Sequence, residues 1–155
     1  MTCSIITDGA ELSSKCRNEH EILILKVKDK LRDTIWQLYH EGYDEFYTNC
    51  EYGIPLWTAE IIVGLKMYNN ITLNIVVPFE EQCRDWAERD RDRYYAVHEK
   101  ADNIIFACSE YEDTCYDLAN EIMIDLSELV VISDNNKVAE RYAKDNGMPI
   151  RKIIL

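Results

Sequence analysis

The stretch YTNCEYGIPLWTAE, residues 47–60, joins a β-rich segment to a helix through a short polar turn. In many α/β proteins such a junction cradles a phosphate, because glycines let backbone N–H groups approach the anion. Here four larger residues stand where small ones would be expected: Asn49, Cys50, Glu51 and Tyr52. Gly53 follows them, and Glu60 lies near the start of the helix. The junction therefore predicts a phosphate site, a site for another ligand, or a loop that only keeps the shape.

Polar residues that follow the first and fifth predicted strands are further candidates for a ligand site. Thr7, Asp8 and Gly9 follow the first strand, and Asp134 follows the fifth. Asp and Gly suit a tight turn at the end of a strand. We expect these four residues to contact the ligand.

The motif PFEEQ ends the third predicted strand at Pro78 and adds two carboxylates, Glu80 and Glu81. Acidic residues in the first turn of a helix complement its dipole, which explains both glutamates without a ligand. Alternatively, one of them bonds a ribose or a base edge from the rim of the site. Pro78, Glu80 and Glu81 are therefore ligand-binding candidates.

Size and charge limit the classes of function. The chain has 155 residues, which suits a single domain covering residues 1–155, and 47% of them are hydrophobic. A net charge of −12 repels nucleic acid, which is therefore not an expected partner. No apolar run approaches the roughly 18 residues of a membrane span, and the N-terminus lacks the pattern of a signal peptide. We expect a soluble, cytoplasmic protein with no membrane association.

The cysteines do not predict a metal site. The chain has 6 cysteines, and none of them forms a C-x-x-C pair. Structural zinc sites usually show paired ligands at short spacing. Without a secretory signal, a disulfide framework is not expected either. We therefore expect no metal and no cofactor.

Short β-rich runs alternate with longer segments of helical periodicity. The runs predict strands at residues 3–7, 45–50, 71–79, 103–108, 129–133 and 150–155. The periodic segments predict helices at residues 18–41, from Pro55 to the Asn69–Asn70 pair, and at residues 80–100, 113–126 and 137–146. This alternation indicates an α/β fold, with a mainly parallel sheet flanked by helices in a Rossmann-like, doubly wound arrangement.

A strand order of 3-2-1-4-5-6 is the first choice for such a sheet, and it puts the switch point between the first and fourth strands. Ligands of doubly wound sheets bind beside this point, at the carboxyl ends of the strands. Four loops would then form the site: TDGAELSS, NCEYGI, SEYEDT and PFEEQ.

Several motifs together resemble a known family. The segments GIPLWTAE, IVVPFEEQCRDW with RYYAVHEKAD, and NEIMIDLSELVVIS are similar to the YpsA branch of the SLOG superfamily, the DUF1273 group. The resemblance covers most of the chain from Gly42 onward, and PFEEQ followed by Trp86 is its most specific part. It implies a Rossmann-like fold related to the Lonely Guy phosphoribohydrolases and to the DNA-processing protein DprA.

The chain departs from the family pattern where a phosphate would bind. Asn49, Cys50 and Glu51 replace a run of small residues, whereas Gly53 and Glu60 match the pattern. A second glycine motif after the fifth strand is lost. A non-glycine residue in a left-handed conformation costs about 1–2 kcal/mol, and Glu51 adds negative charge. These departures argue against ordinary phosphate binding.

The resemblance also implies roles for individual residues. Glu60 stands where the related phosphoribohydrolases have a catalytic glutamate, and a carboxylate there could stabilise an oxocarbenium ion or act as a base. The alternative is a buried glutamate that pairs with an arginine or a backbone N–H and fixes the loop. Asn120 and Asp125 match the family's N-x-x-M-V-D pattern, and Asn120 is a ligand-binding candidate.

These observations lead to one functional expectation and two alternatives. We expect the protein to bind a small nucleotide-like or nucleoside-like ligand as a sensor or accessory protein. One alternative is a divergent phosphoribohydrolase or nucleosidase that uses Glu60. The other is a non-catalytic interaction module with a degenerate site. The related enzymes dimerise through helices, so a homodimer is a further expectation.

Overall fold

The computed structural model describes residues 1–8 and 21–155, and these residues form one parallel sheet of six strands. The strands are β1 (Thr2–Ile6), β2 (Glu45–Thr48), β3 (Thr72–Phe79), β4 (Asn103–Cys108), β5 (Leu129–Ser133) and β6 (Ile150–Ile153). Each neighbouring pair is parallel. Parallel neighbours need long crossover connections, which the intervening helices provide. The predicted α/β, Rossmann-like fold is confirmed.

Five helices lie in the described residues. They are α1 (Ile22–His40), α2 (Ile54–Lys66), α3 (Glu88–Lys100), α4 (Cys115–Asp125) and α5 (Lys137–Asp145). The predicted stripe of α1 is buried in full and comprises Ile24, Val27, Leu31, Ile35 and Leu38. The predicted start of this helix, at residue 18, lies outside the described residues.

The strand order differs from the prediction. The observed order is β4-β3-β2-β1-β5-β6, so the switch point lies between β1 and β5 rather than between β1 and β4. All five residues of β5 are buried, as expected of a strand inside the sheet, whereas all six residues of β4 are exposed or half-buried. β4 therefore occupies an edge, and the loop that follows β5 replaces the loop that follows β4 at the switch point.

The third helix begins later than predicted. Residues 80–87 form turns, and α3 starts at Glu88. The turns are held by hydrogen bonds from Gln82 N to Phe79 O (3.1 Å) and from Trp86 N to Cys83 O (3.1 Å). Glu80 and Glu81 consequently do not lie in the first turn of a helix, and the helix-dipole explanation for them is wrong.

The sheet is covered on both faces, as a doubly wound arrangement requires. Apolar side chains of α1, α2 and α3 pack on one face, around Phe46, Leu73 and Ile75. Those of α4 and α5 pack on the other face, around Val76 and Ile132. The chain leaves β1 towards the first face and β5 towards the second. This divergence opens a crevice at the carboxyl ends of β1 and β5.

Candidate functional site

A cavity of about 250 Å³ occupies this crevice, and we call it the switch cavity. Ten of the described residues line it: Thr7, Asp8, Glu51, Tyr116, Asp117, Asn120, Asn135, Asn136, Lys137 and Val138. They come from the loops after β1, β2 and β5, from the first turns of α4 and from the start of α5. The prediction of a strand-end site thus has a physical cavity at the corrected switch point.

The switch cavity gathers only some of the predicted ligand-binding residues. Four of them line it: Thr7, Asp8, Glu51 and Asn120. Asn49 contacts this lining from outside the cavity: its Nδ2 donates to Oδ1 of Asn120 at 3.4 Å. Gly9 lies outside the described residues.

The loop after β2 keeps a glycine-like backbone although Gly53 is its only glycine among residues 49–53. Cys50 has a φ of 53° and Gly53 a φ of 95°, so both residues occupy the left-handed half of conformational space. The N–H of Glu51 donates to Oδ1 of Asn49 at 3.0 Å, and Nε2 of Gln82 donates to the Asn49 carbonyl at 3.3 Å. These bonds hold the loop internally, and they use a backbone N–H that a phosphate loop would offer to its anion.

Two predicted site residues of this loop point elsewhere. Cys50 is fully buried, and burial, followed by the charge of Glu60, raises the pKa of its thiol. The ring of Tyr52 packs edge-on against Trp86, with 5.4 Å between centroids. Neither side chain lines the switch cavity. Both residues shape the loop in this structure.

Glu60 is held by an arginine. Nε and Nη2 of Arg93, on α3, donate to the two carboxylate oxygens of Glu60, each at 2.8 Å. Nη1 of the same guanidinium donates to Asp90 at 3.2 Å. This bidentate contact ties α2 to α3 and is the arginine pairing that the sequence left open as an alternative. Glu60 does not line the switch cavity.

The remaining candidates lie at other places on the sheet edge. Glu80 and Glu81 line a second cavity of about 750 Å³, which we call the edge cavity. Its lining is Phe79, Glu80, Glu81, Gln82, Arg84, Asp85, Ser109, Glu110 and Tyr111. Pro78 is buried within β3, and Asp134 lies 4.0 Å from the ammonium of Lys152. The two cavities share no lining residue.

Two buried hydroxyls at the switch point have no hydrogen-bond partner in the described part of the chain. They are Oγ1 of Thr7, in the lining of the switch cavity, and Oγ of Ser133, the last residue of β5. Ile6 pairs with Ile132, so the next residues, Thr7 and Ser133, are neighbours across the two strands. An unsatisfied buried polar group costs about 1–3 kcal/mol, so such groups call for a water or a ligand.

Both signs of charge occur in the described lining of the switch cavity. Asp8, Glu51 and Asp117 contribute carboxylates, and Lys137 contributes an ammonium. Burial, with a smaller contribution from the charge of Glu51, raises the pKa of Tyr116 to about 12. The phenol therefore stays protonated and can donate a hydrogen bond to a ligand.

Six of the ten described lining residues were not predicted: Tyr116, Asp117, Asn135, Asn136, Lys137 and Val138. Tyr116 and Asp117 lie in the first turn of α4, directly after the predicted site loop SEYEDT. Asn135 and Asn136 follow β5, and Oδ1 of Asn136 caps α5 by accepting from Ala139 N at 3.2 Å. The signal was the run SDNNK directly after a fully apolar strand.

Comparison with known proteins places the chain in a family. The family model YpsA, described as the YspA SLOG family, matches residues 11–150. The chain belongs to the YpsA SLOG family. A UPF0398 protein of Halalkalibacterium halodurans is 31% identical over 118 residues, which cover 74% of this chain and 62% of that protein. A UPF0398 protein of Staphylococcus aureus strain JH9 is 24% identical over 123 residues, which cover 76% of this chain and 66% of that protein.

In this YpsA SLOG family member, the motif PFEEQ with Trp86 makes packing contacts in addition to carrying two glutamates. Phe79 packs against Tyr111 and Tyr116, and Trp86 packs between Tyr52 and Tyr94. Gln82 reaches back to the Asn49 carbonyl. The motif therefore braces the loop after β2 from the side of β3.

The described residues offer neither a metal-binding cluster nor a membrane-spanning helix. Among residues 1–8 and 21–155, no group of three His, Cys, Asp or Glu side chains is placed to hold a metal ion. Over the same residues, no helix has the length and apolar character needed to cross a bilayer.

Proposed function

We propose that the switch cavity binds a nucleoside-like ligand, meaning a sugar or base with several hydrogen-bonding groups and no phosphate inside the cavity. The observation that carries this proposal is the buried hydroxyl of Thr7, which lacks a partner among the described residues and belongs to the cavity lining. Its neighbour Ser133 has a second such hydroxyl. A ribose hydroxyl or a base nitrogen would satisfy these groups, and membership of a SLOG family supports a nucleotide-related ligand.

The loop after β2 favours a nucleoside over a phosphate, because the backbone N–H of Glu51 that a phosphate loop would offer to its anion already donates to Asn49. The cavity volume of about 250 Å³ lies below the roughly 300–1,000 Å³ of sites for drug-sized ligands, so the ligand is small. The lining also carries the amides of Asn120, Asn135 and Asn136 and the phenol of Tyr116, which are polar groups of the kind that meet base edges and sugar hydroxyls.

Thr7→Val tests the proposal, because valine has nearly the shape of threonine without the hydroxyl. Among the described residues this hydroxyl has no hydrogen-bond partner, so the free energy of unfolding should stay the same or increase. Affinity for the ligand should fall by about 5- to 30-fold, the equivalent of one lost bond of about 1–2 kcal/mol. Thermal-shift screening of nucleosides, nucleotides and sugar phosphates identifies the ligand, and calorimetry measures the affinity.

Thr58→Val is the matched control. Thr58 is also buried, but its hydroxyl donates to the Ile54 carbonyl at 2.9 Å and does not line the switch cavity. This variant should lose stability, by about 1 kcal/mol, and keep its affinity. Equal affinity of wild type and Thr7→Val, or no stabilisation by any compound at millimolar concentration, would contradict the proposal.

The other expectations stay predictions. A catalytic role of Glu60 requires base release from a nucleoside monophosphate that disappears in Glu60→Gln, and the contact with Arg93 argues against it. A sensor or accessory role, a cytoplasmic location and a homodimer are proposed on the grounds given by the sequence. Light scattering measures the oligomeric state, and cell fractionation measures the location.

A further inference from the structure

The two edges of the sheet differ in the charge that they carry. At one edge, Arg151 of β6 pairs with Glu41 at 2.7 Å, and Lys152 of the same strand pairs with Glu140. At the other edge, β4 reads NIIFAC and contains no charged residue and no proline. Charges and prolines on an edge strand prevent it from pairing with another chain. The β6 edge has this protection, and the β4 edge lacks it.

The backbone of β4 is paired on one side. Its residues pair with β3, and no other described backbone group bonds to residues 103–108. The outward N–H and C=O groups of an edge strand are a template for a further strand. The β4 edge therefore offers backbone hydrogen bonds to a strand of another chain.

Two large apolar side chains of β4 are exposed on the same face. Ile104 is 39% exposed and Phe106 is 52% exposed. They pair with Ile75 and Val77 of β3, whose side chains belong to the core under α1, α2 and α3. Because side chains alternate along a strand, Ile104 and Phe106 share that face. A second strand beside β4 would cover both of them.

A second copy of the chain fits this edge. Two β4 strands related by a two-fold axis perpendicular to the sheet run antiparallel, and each residue pair then occurs twice. One register sets Ile104 of each copy opposite Phe106 of the other, on the same face. Lys100 stands four residues before Ile104, and Glu110 stands four residues after Phe106. The same register therefore brings Lys100 of each copy to Glu110 of the other.

The charges at the ends of β4 are complementary in this register. Lys100 and Glu110 are exposed, and neither has an ion-pair partner in the described part of the chain. A third charged residue beside the strand, Asp102, already pairs with Lys66 of its own copy. One register thus joins apolar to apolar side chains and cation to anion. This self-complementarity favours a second copy over an unrelated extended segment.

We propose that two copies of the chain associate through antiparallel pairing of their β4 strands, which joins two six-stranded sheets into one. This inference rests on the homodimer proposed above and gives it a surface at the sheet edge, in place of the helices that the related enzymes use. Nucleoside binding at the switch cavity does not enter into it.

Sedimentation velocity of the full chain over a range of protein concentrations tests the proposal. A salt concentration of about 0.15 M screens the repulsion between two copies of net charge −12. Wild type should form a concentration-dependent dimer. Phe106→Lys should raise its dissociation constant by at least about tenfold, because an apolar contact is lost twice and a charge enters the pairing. Ile154→Lys is the matched control, since Ile154 is 67% exposed and follows β6 at the opposite edge, and it should keep the wild-type dissociation constant.

Charge reversal tests the register through exposed residues only. Lys100→Glu and Glu110→Lys should each weaken the dimer by about threefold or more. The variant that combines both reversals should associate as wild type does, because each pair is then restored with opposite sign. A monomer at every concentration would overturn both the edge pairing and the homodimer. A dimer that Phe106→Lys leaves unchanged, or a combined variant as weak as the single ones, would overturn the edge pairing alone.

Discussion

The Glu60→Gln substitution decides between a structural and a catalytic glutamate. In the structure, Glu60 accepts two hydrogen bonds from Arg93, each at 2.8 Å, and the two side chains are 31% and 18% exposed. Glutamine keeps one acceptor oxygen and sets an NH₂ group against the guanidinium. One charge-assisted bond of about 1.5–3 kcal/mol is therefore lost. Partial exposure reduces the expected destabilisation to about 1–2 kcal/mol.

Urea denaturation followed by circular dichroism measures this loss. For a chain of 155 residues, a loss of about 1–2 kcal/mol corresponds to a decrease of about 2–8 °C in Tm. Glu81→Gln is the matched control, because Glu81 also pairs with an arginine, Arg84, but the two side chains are 69% and 71% exposed. The control should change stability by less than about 0.5 kcal/mol.

The double variant Glu60→Gln, Arg93→Gln completes the test. If the two residues stabilise the protein through each other, the double variant should be little worse than the poorer single variant, because the partners are already separated. Equal stability of wild type and Glu60→Gln would refute the structural reading. Glu60 would then be free for chemistry, and loss of base release in the same variant would support the enzyme alternative.

Three further predictions concern folding and pH. Burial lowers the pKa of His98 below its ordinary 6.5, so the unfolded chain binds the proton more readily and the free energy of unfolding should fall as the pH drops below about 6.5. His98→Gln should remove this part of the pH dependence in urea denaturation, and an unchanged pH dependence would contradict the prediction. Hydrogen bonds from Lys144 and Lys152 lower the pKa of Glu140 from 4.5 to about 2, so its stabilising contribution should be present above pH 4.5 and be lost towards pH 2, and Glu140→Gln should flatten acid denaturation in that window. Gly42 has a φ of 100°, and a Cβ added there would lie 3.0 Å from Met1 Cε. Gly42→Ala should therefore lower the free energy of unfolding, measured by urea denaturation, by about 1–2 kcal/mol. Gly147→Ala, at a φ of 67° in open space, should lower it by less, and the opposite order would refute the steric part of the reasoning.

Much of the fold could be predicted because local periodicity determines each element. Strands at residues 103–108 and 129–133 were predicted with the bounds that the structure has. The order of strands could not be predicted, since both NIIFAC and LVVIS are apolar and either could follow the first strand in the sheet. The difference lies in tertiary burial: β5 is covered on both faces, whereas the outer side of β4 exposes Ile104 and Phe106.

Site residues were predicted where the end of a single strand fixes their position. They were missed where their position depends on the order of strands in the sheet. Thr7 and Asp8 follow β1 in any doubly wound sheet, so their place at the carboxyl edge followed from the strand alone. Tyr116 and Asn135 reach the switch cavity only because β5 is the neighbour of β1. The sequence allowed Glu60 to be a catalytic residue or a structural partner of an arginine. Arg93, the partner that favours the structural role, is 33 residues away in sequence.

The backbone of the loop after β2 argues against a phosphate at the switch cavity. Cys50 holds the left-handed backbone that a glycine would supply, which shows that the shape of a phosphate loop does not depend on its glycines here. The N–H of Glu51 is nevertheless taken by Asn49, and the Glu51 side chain brings a negative charge to the cavity wall. A phosphate would therefore meet, at this point, a backbone donor that is already occupied. The hydroxyl of Thr7, which has no partner among the described residues, is the group that the proposed nucleoside would satisfy.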